Sequence, residues 1–225
     1  IYSVARGAVF VYSMGLTQHE FGVDNVKAIV NLALARGMLG REKCGIMPIR
    51  GHSGVQGGGE CGAEPDKFPG GFEVNEENGR RFSNLWRHPV PSAPGLRVPQ
   101  MIEAAHKGEI GFLYSIGGNL LETMPDRKFV TEALAEVPVR VHQDIVLNSS
   151  MLIDSQECVV ILPAQTRYEQ RGGGTTTSTE RRIRFTPEIP GRRIGETRPE
   201  WEIPCLIGRK AMPNGELLFP YNDTQ

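Results

Sequence analysis

Short apolar runs rich in β-branched and aromatic residues recur along this chain, separated by segments with helical spacing. Residues 8–14 and 110–116 are two such runs, and residues 137–146 and 157–162 contain two more. Runs of this length and composition are typical of β-strands. We therefore predict four strands, and we expect the first two to be buried.

A helical pattern follows the first apolar run. Asp24 is placed to cap the N-terminus of a helix over residues 25–36, and Gly37 and Gly40 are placed to end it. Its predicted apolar stripe consists of Val26, Ile29, Val30, Ala33 and Leu34.

Two further helices are predicted, over residues 98–107 and from Pro125 to about residue 136. Strands that alternate with helices in this way predict an α/β fold with a doubly wound, mostly parallel sheet. Ligands of such sheets bind in the loops beyond the carboxyl ends of the strands. Glycine-bearing loops follow the first two predicted strands, at residues 15–19 and 117–119, so both are candidate binding loops.

Glycine and proline are dense between residues 45 and 99, which hold 11 of the 27 glycines and 7 of the 16 prolines, and we predict a long irregular excursion with a functional role there. Its first eighteen residues, 45–62, include seven glycines. Glycine permits positive φ angles and close approach of the backbone to a ligand. The pattern indicates backbone amides around a large, phosphate-bearing ligand, with Arg50 directed at an anion.

Composition narrows the classes of partner. The net charge is −1, so a basic nucleic-acid interface is not expected. No apolar run approaches the ~18 residues of a membrane span. The four cysteines are far apart in sequence, which disfavours an all-cysteine metal site and suits a reducing, cytoplasmic compartment. The sequence begins at Ile1 without a methionine, and we expect it to be an internal fragment of a longer protein.

Several separate motifs, in order, support one resemblance. They are MGLTQHEFGVDNVKAIVNLALARGMLGREKCG, IMPIRGHSGVQGGGECG, YSIGGNLLETMPD and ILPAQTRYEQRGGGTTTSTERRIRFTPEIPG. Together they resemble the large catalytic subunits of molybdopterin-dependent oxidoreductases, of the formate dehydrogenase alpha-subunit type. Residues 54 and 58–60 differ from the formate dehydrogenase pattern, which is typical of a sister branch.

The resemblance implies a bis-molybdopterin guanine dinucleotide, with molybdenum or tungsten, held between two related α/β domains. Residues 1–51 would end one of these domains and residues 52–164 would form the second. Residues 165–225 would return irregularly toward an iron–sulfur domain carrying a 4Fe–4S cluster. In the family, the cluster cysteines and the metal ligand lie upstream of the matched region, so we expect the fragment alone to be inactive.

The same resemblance assigns roles to individual residues. Arg50 would orient a small anionic substrate such as formate for two-electron oxidation or reduction, and electrons would pass to an electron-transfer partner. The residues predicted to contact the pterin are Thr17, Gln18, Gly51 and His52, the last standing where formate dehydrogenases commonly have glutamine. The residues predicted to contact guanosine are Gly117, Gly118, Asn119, Thr123 and Gln143.

Alternatives remain for the whole chain and for its parts. A nucleotide-binding α/β module without redox chemistry would carry a GxGxxG turn after the first strand, whereas this strand is followed by GLTQH. A relative that keeps the fold but lacks the metal is the other possibility. The glycine and threonine run at residues 171–179 is either a flexible linker or an ordered path toward absent domains.

Overall fold

A computed structural model describes residues 1–49, 51–52, 54–177 and 182–222, and Arg50 therefore lies outside the described residues. The chain divides into two compact units. The first consists of Ile1–Glu64, Pro69–Gly71 and Thr176–Arg184, and the second of Pro65–Phe68, Phe72–Thr175 and Phe185–Gln225.

The first unit is built on two parallel strands. Its elements in chain order are β1 (Val9–Tyr12), α1 (Met14–Thr17), α2 (Gly22–Ala35), β2 (Gly45–Pro48) and α3 (Val55–Glu60). β1 and β2 pair in register from Val9 opposite Gly45 to Tyr12 opposite Pro48. The predicted strand at residues 8–14 is confirmed, but its expected burial is wrong, because Val9 and Val11 are exposed.

Helix α2 begins earlier than its sequence pattern indicates. It starts at Gly22 with Phe21 as the N-cap, and Asp24 lies inside the first turn, where its charge favours the helix dipole. Its end is as predicted, since Gly37 adopts φ +58° and the Met38 amide donates to the Ala33 carbonyl. Of the predicted stripe, Ala33 is buried, whereas Leu34 is exposed.

The glycine-rich excursion is not irregular throughout. Beyond β2 and α3, it contains the antiparallel pair β3 (Lys67–Phe68) and β4 (Phe72–Glu73), and α4 (Glu76–Trp86). Asn75 caps α4 by accepting a hydrogen bond from the Asn78 amide, and Phe68 and Phe82 stack in a small core beneath it. This local aromatic core stabilises a segment that carries little periodicity.

The second unit contains a three-stranded parallel sheet. Its elements are α5 (Val98–His106), β5 (Phe112–Ile116), α6 (Leu120–Thr123), α7 (Arg127–Glu136), β6 (Val139–Asp144) and β7 (Cys158–Pro163). β6 lies between β5 and β7. The predicted helices and strands are confirmed here, and so is the α/β class with parallel sheets. Phe112 and Ile116 at the ends of β5 are exposed, so the expected burial of that strand is wrong in part.

The core of the second unit packs one face of the sheet against α5 and α7. Buried apolar residues of this core are Ile102, Ala105, Leu121, Val130, Ala133, Leu134 and Val137. Leu113 of β5 packs against the same cluster, and successive strand residues point to opposite faces. In register with Leu113 and Ser115, Arg140 and His142 of β6 lie on the helix-covered face.

Residues 165–225 contain more regular structure than predicted. Strands β8 (Gly174–Thr177) and β9 (Ile183–Thr186) pair with each other, and helices α8 (Glu202–Ala211) and α9 (Gly215–Leu218) follow. Gly172 is held by a side chain, since its amide donates to the Glu188 carboxylate. The division into domains at residues 51 and 164 stays a prediction. No helix among the described residues is long and apolar enough to cross a membrane.

Candidate functional site

The loops beyond β5 and β6 meet at the carboxyl edge of the three-stranded sheet. Gly117, with φ +62°, turns the chain out of β5, and its amide donates to the Gln143 carbonyl at 2.9 Å. The Asn148 side-chain amide, from the loop after β6, donates to the Gly118 carbonyl at 3.4 Å and to the Asp144 carboxylate at 3.0 Å. This edge is where parallel sheets bind ligands.

Asn119 is the centre of a side-chain network at this edge. Its Nδ2 donates to Ser149 Oγ at 3.0 Å, and its Oδ1 accepts from Ser150 Oγ at 2.7 Å. Thr123 Oγ1 donates to the Asn119 carbonyl at 2.8 Å. Ser149 Oγ also donates to Glu122, at 2.9 Å. The structure thus brings together the predicted residues Gly117, Gly118, Asn119 and Thr123.

Gln143 differs from these residues because it is fully buried. Its Oε1 accepts from the Tyr114 hydroxyl at 2.5 Å, and its Nε2 donates to the Glu200 carbonyl at 3.0 Å. Burial raises the pKa of Tyr114, which keeps the phenol protonated as the donor of this bond. Gln143 therefore joins the sheet to the segment before α8, and its contact with guanosine stays a prediction.

Two buried charged or titratable side chains lie under this edge. Arg140 and His142 are both almost completely inaccessible to solvent. Burial lowers the pKa of His142, the neighbouring Arg140 lowers it further, and Asp144 opposes this shift. Neither ring nitrogen of His142 has a hydrogen-bond partner among the described residues. The folded protein therefore favours neutral His142.

The first unit has a second loop edge, beyond β1 and β2. Ser13 Oγ donates to the Ile49 carbonyl at 2.8 Å, and a Cβ at Gly51 would lie 3.3 Å from the terminal methyl carbon of Met14. Thr17 and Gln18, two predicted pterin contacts, lie at the end of α1 and are exposed. Gln18 Nε2 contacts Met14 Sδ at 3.7 Å. The structure thus brings the loop that holds Thr17 and Gln18 close to Gly51.

Gly22 explains how tightly α1 is folded onto α2. A Cβ at this position would lie 2.2 Å from the Thr17 carbonyl oxygen, a distance that no side chain tolerates.

His52, a predicted pterin contact, is exposed, and its carbonyl accepts from the Val55 amide at 3.3 Å. Arg50, the predicted substrate-binding residue, lies between these segments in sequence but outside the described residues.

Three side chains of the Asn119 network were not predicted from the sequence. Asn148, Ser149 and Ser150 are consecutive short polar residues that begin four residues after the end of β6 at Asp144, and their composition is typical of turns that bond to backbone. That run, at the carboxyl end of a predicted parallel strand, is the signal that could have found them. Arg140 carried no such signal, because an arginine inside a strand usually faces solvent.

Metal-ligating groups are dispersed in the part of the chain that the structure describes. No group of three or more histidine, cysteine, aspartate or glutamate side chains there could hold a metal ion. All four cysteines are free thiols, with Cys61 and Cys158 exposed. The described chemistry at both loop edges is that of hydrogen-bonding amides, hydroxyls, carboxylates and backbone groups, which suits an organic ligand.

The sequence is similar to proteins of one family. The family model described as molybdopterin oxidoreductase matches residues 2–210. An F420-dependent formate dehydrogenase subunit alpha from Methanocaldococcus jannaschii is 37% identical over 93% of this chain and 30% of its own length. A probable oxidoreductase, YjgC, from Bacillus subtilis is 34% identical over 89% of this chain and 20% of its own length.

A third relative is the F420-dependent formate dehydrogenase 1 subunit alpha of Methanococcus maripaludis, 33% identical over 100% of this chain and 32% of its own length. The chain therefore spans about a third or less of the length of these relatives. The family model covers nearly all of it, including both loop edges. The chain belongs to the molybdopterin oxidoreductase family.

Proposed function

We propose that this chain forms part of an oxidoreductase that binds a molybdopterin guanine dinucleotide, with molybdenum or tungsten, and transforms a small anionic substrate such as formate. The bound metal would supply the two-electron chemistry, as cofactors do in such enzymes. The observation that carries the proposal is the Asn119 network at the carboxyl edge of a parallel sheet, in a chain matched by this family over residues 2–210.

The groups at that edge fit a guanosine. Guanine presents N–H donors that carboxylate and amide oxygens can accept, and Asp144, Glu122 and Asn148 supply such oxygens at one edge. Gly117 adopts φ +62°, and no heavy atom lies within 4 Å of the position of its absent Cβ. A ligand can therefore approach the backbone there. We propose Gly117, Gly118, Asn119, Thr123 and Gln143 as the guanosine side of the site.

The edge of the first unit fits the pterin part of such a ligand. Its exposed groups include the short α1 with Thr17 and Gln18, and the backbone of Gly51 and His52. A pterin needs peptide groups and a few polar side chains at close range, and both are available there. We propose these four residues as pterin contacts.

Arg50 is proposed as the residue that orients the anionic substrate. A guanidinium suits a carboxylate because its planar fork donates two parallel hydrogen bonds. In this proposal the metal ligand, a 4Fe–4S cluster and an electron-transfer partner lie outside the matched segment, as the resemblance implies. The similarity to formate dehydrogenase alpha subunits supports formate as the first substrate to test.

The test is the cofactor content of the full-length protein. We expect molybdenum or tungsten and a releasable, guanine-containing pterin in the wild type, and a clear loss of both in Asn119→Ala. The matched control is Asn78→Ala, which removes an exposed side-chain bond of the same type in α4. Absence of metal and pterin from correctly expressed wild type would refute the proposal, and bound nucleotide without metal would favour the non-redox module.

A separate variant addresses the substrate. Arg50→Ala should retain the cofactor but lose about 2–5 kcal/mol of substrate stabilisation, the usual cost of removing one partner of a hydrogen-bonded charge pair. The measurement is kcat/KM with formate, alongside metal content. Unchanged kcat/KM would remove Arg50 from the active site.

A further inference from the structure

We propose that Arg140 is a positioning residue for the Asn119 side chain, and that it acts through the 3₁₀ turn Ser149–Leu152. This inference rests on the proposed function in one respect, namely that Asn119 contacts the cofactor. Arg140 makes no hydrogen bond to Asn119 itself, and no sequence motif pointed to it.

The first step is the contact between Arg140 and the turn. Arg140 has no exposed surface, and its guanidinium donates to the Ser150 carbonyl at 2.9 Å and to the Ile153 carbonyl. These two carbonyls lie three residues apart at the end of a 3₁₀ turn, where backbone acceptors lack partners of their own. One planar guanidinium reaches both, which a lysine ammonium with a single nitrogen does less well.

The second step is the contact between the turn and Asn119. Ser150 is fully buried, and its hydroxyl donates to Asn119 Oδ1 at 2.7 Å and accepts from the Leu121 amide at 3.0 Å. A single hydroxyl thus orients the Asn119 side chain and fixes the start of α6. Any shift of the Ser150 backbone would move both contacts.

The third step is that β6 holds the turn at two points. Asp144 accepts from Asn148 Nδ2 at 3.0 Å, and Asn148 Oδ1 accepts from the Ser150 amide at 3.1 Å. Asp144 therefore holds the amide side of Ser150, and Arg140 holds its carbonyl side. Arg140 and Asp144 are four residues apart on one face of β6, so the rigid strand sets the position of the turn.

A buried arginine is a costly way to make two hydrogen bonds, because its charge leaves water. Replacement of Arg140 by an apolar side chain of similar size removes this desolvation cost but leaves the Ser150 and Ile153 carbonyls without their donor, which is a local loss. The structural benefit of Arg140 is local, because its guanidinium holds the 3₁₀ turn in place. Among the described residues, no other buried donor bonds to the Ser150 and Ile153 carbonyls. A variant can therefore disturb Asn119 while the fold persists.

The experiment compares Arg140→Met with Arg140→Lys in the full-length protein, with Arg80→Met as the matched control at an exposed arginine of α4. The first readout is amide hydrogen exchange. Arg140→Met should speed exchange of the Leu121 amide at least about tenfold while the amides of α7 stay protected, because one local set of bonds is lost. Arg140→Lys should give a smaller effect, and Arg80→Met none.

The second readout is cofactor content in a double-mutant cycle with Asn119→Ala. Arg140→Met should lower the content in the wild-type background and cause no further loss when Asn119 is already alanine, because residues that act through one another are non-additive. A purely structural role would give equal losses in both backgrounds, which would overturn the inference.

The two readouts separate the possible failures. Unchanged exchange at Leu121 in Arg140→Met would overturn the positioning role, whatever the cofactor does. Exchange that rises as expected, combined with normal cofactor content in Asn119→Ala, would instead refute Asn119 as a cofactor contact. That result would overturn the proposed guanosine site and, with it, the link from Arg140 to the cofactor.

Discussion

The two loop edges of this protein follow parallel strands in the same way but are held by different interactions. Beyond β5 and β6, side chains from both loops form a network centred on Asn119. Beyond β1 and β2, single side chains donate to backbone carbonyls, as Ser13 does to Ile49 and Asn25 to Leu16, and the chain packs closely at Gly22 and Gly51. The first unit is shaped mainly by glycine and backbone, whereas the second is shaped by buried polar side chains.

The two units also differ in their cores. In the first unit the described apolar side chains that are buried are Ala33 and Met38, whereas the second unit buries a cluster under α5 and α7. A larger core restrains the loops more firmly relative to the sheet that they follow. Equivalent positions in two similar strand–helix units can therefore tolerate very different substitutions.

The largest expected difference is between two leucines in corresponding helices. Leu134 of α7 is 0% exposed, whereas Leu34 of α2 is 56% exposed. Leu134→Ala should cost about 2–5 kcal/mol because it leaves a cavity. Leu34→Ala should cost less than about 0.5 kcal/mol. Native-state hydrogen exchange of the α7 and α2 amides measures both, and a similar cost in the two helices would contradict the comparison.

Next in size is the effect of a methyl group at Gly22. Gly22→Ala would place its Cβ 2.2 Å from the Thr17 carbonyl oxygen, so α1 must move away from α2, at a cost of about 2–3 kcal/mol. Gly15→Ala is the matched control, because nothing lies within 4 Å of its Cβ position. Exchange rates of the α2 amides report the loss. Equal behaviour of the two variants would show that the close approach is not needed.

A smaller effect is expected from two serines that bridge the loops. Ser150→Ala removes a buried hydroxyl that serves both Asn119 and the Leu121 amide, and should cost about 1–2 kcal/mol. Ser13→Ala removes a more accessible hydroxyl with one partner, and should cost about 0.5 kcal/mol. Local exchange at Leu121 and Ile49 provides the measurement. A larger loss of stability in Ser13→Ala than in Ser150→Ala would contradict this prediction.

The smallest expected effect is a pH dependence of the second unit. The folded state lowers the pKa of His142 below its ordinary value of 6.5, chiefly through burial and secondly through Arg140. Below pH 6.5, His142 is therefore protonated in the unfolded chain but stays neutral in the folded protein. The free energy of unfolding consequently falls with falling pH until the lowered pKa is passed. His142→Leu should flatten this dependence between pH 5 and 7.5, roughly the range in which a histidine titrates.

The control for His142 is His88→Gln, a substitution at an exposed histidine. Exchange of the β6 amides, measured over the same pH range, should lose its acid sensitivity in His142→Leu and keep it in His88→Gln. Persistence of the full pH dependence in His142→Leu would assign it to groups other than His142.

Much of the second unit could be predicted from its sequence, because its strands are apolar runs and its helices have clear boundaries. Arg127–Glu136, for example, follows a proline and a capping Asp126, whose side chain accepts from the Phe129 amide. The excursion at residues 45–99 could not be predicted in the same way. Strand β2 contains glycine and proline, and α3 contains three consecutive glycines, so local propensity argues against both elements.

The candidate site shows the same division. Gly117, Gly118 and Asn119 could be identified because they directly follow an apolar run, where the geometry of parallel sheets places ligands. Ser150 and Arg140 could not, because their roles depend on contacts made across 29 and 10 residues of sequence, respectively. Gln143 is a predicted guanosine contact, and its sequence context gave no indication of its burial against Tyr114 and Glu200.

Apolar periodicity, glycine placement and ordered motifs are local properties, and they are sufficient to predict the α/β class, the position of the loops and the family. Which polar groups meet depends on the tertiary structure. Asn119 gains its orientation from Ser150, and Ser150 gains its position from Arg140 on the neighbouring strand. The physical reason is that a buried hydrogen-bonding group must find a partner, and only the packing of distant segments determines which partner is within reach.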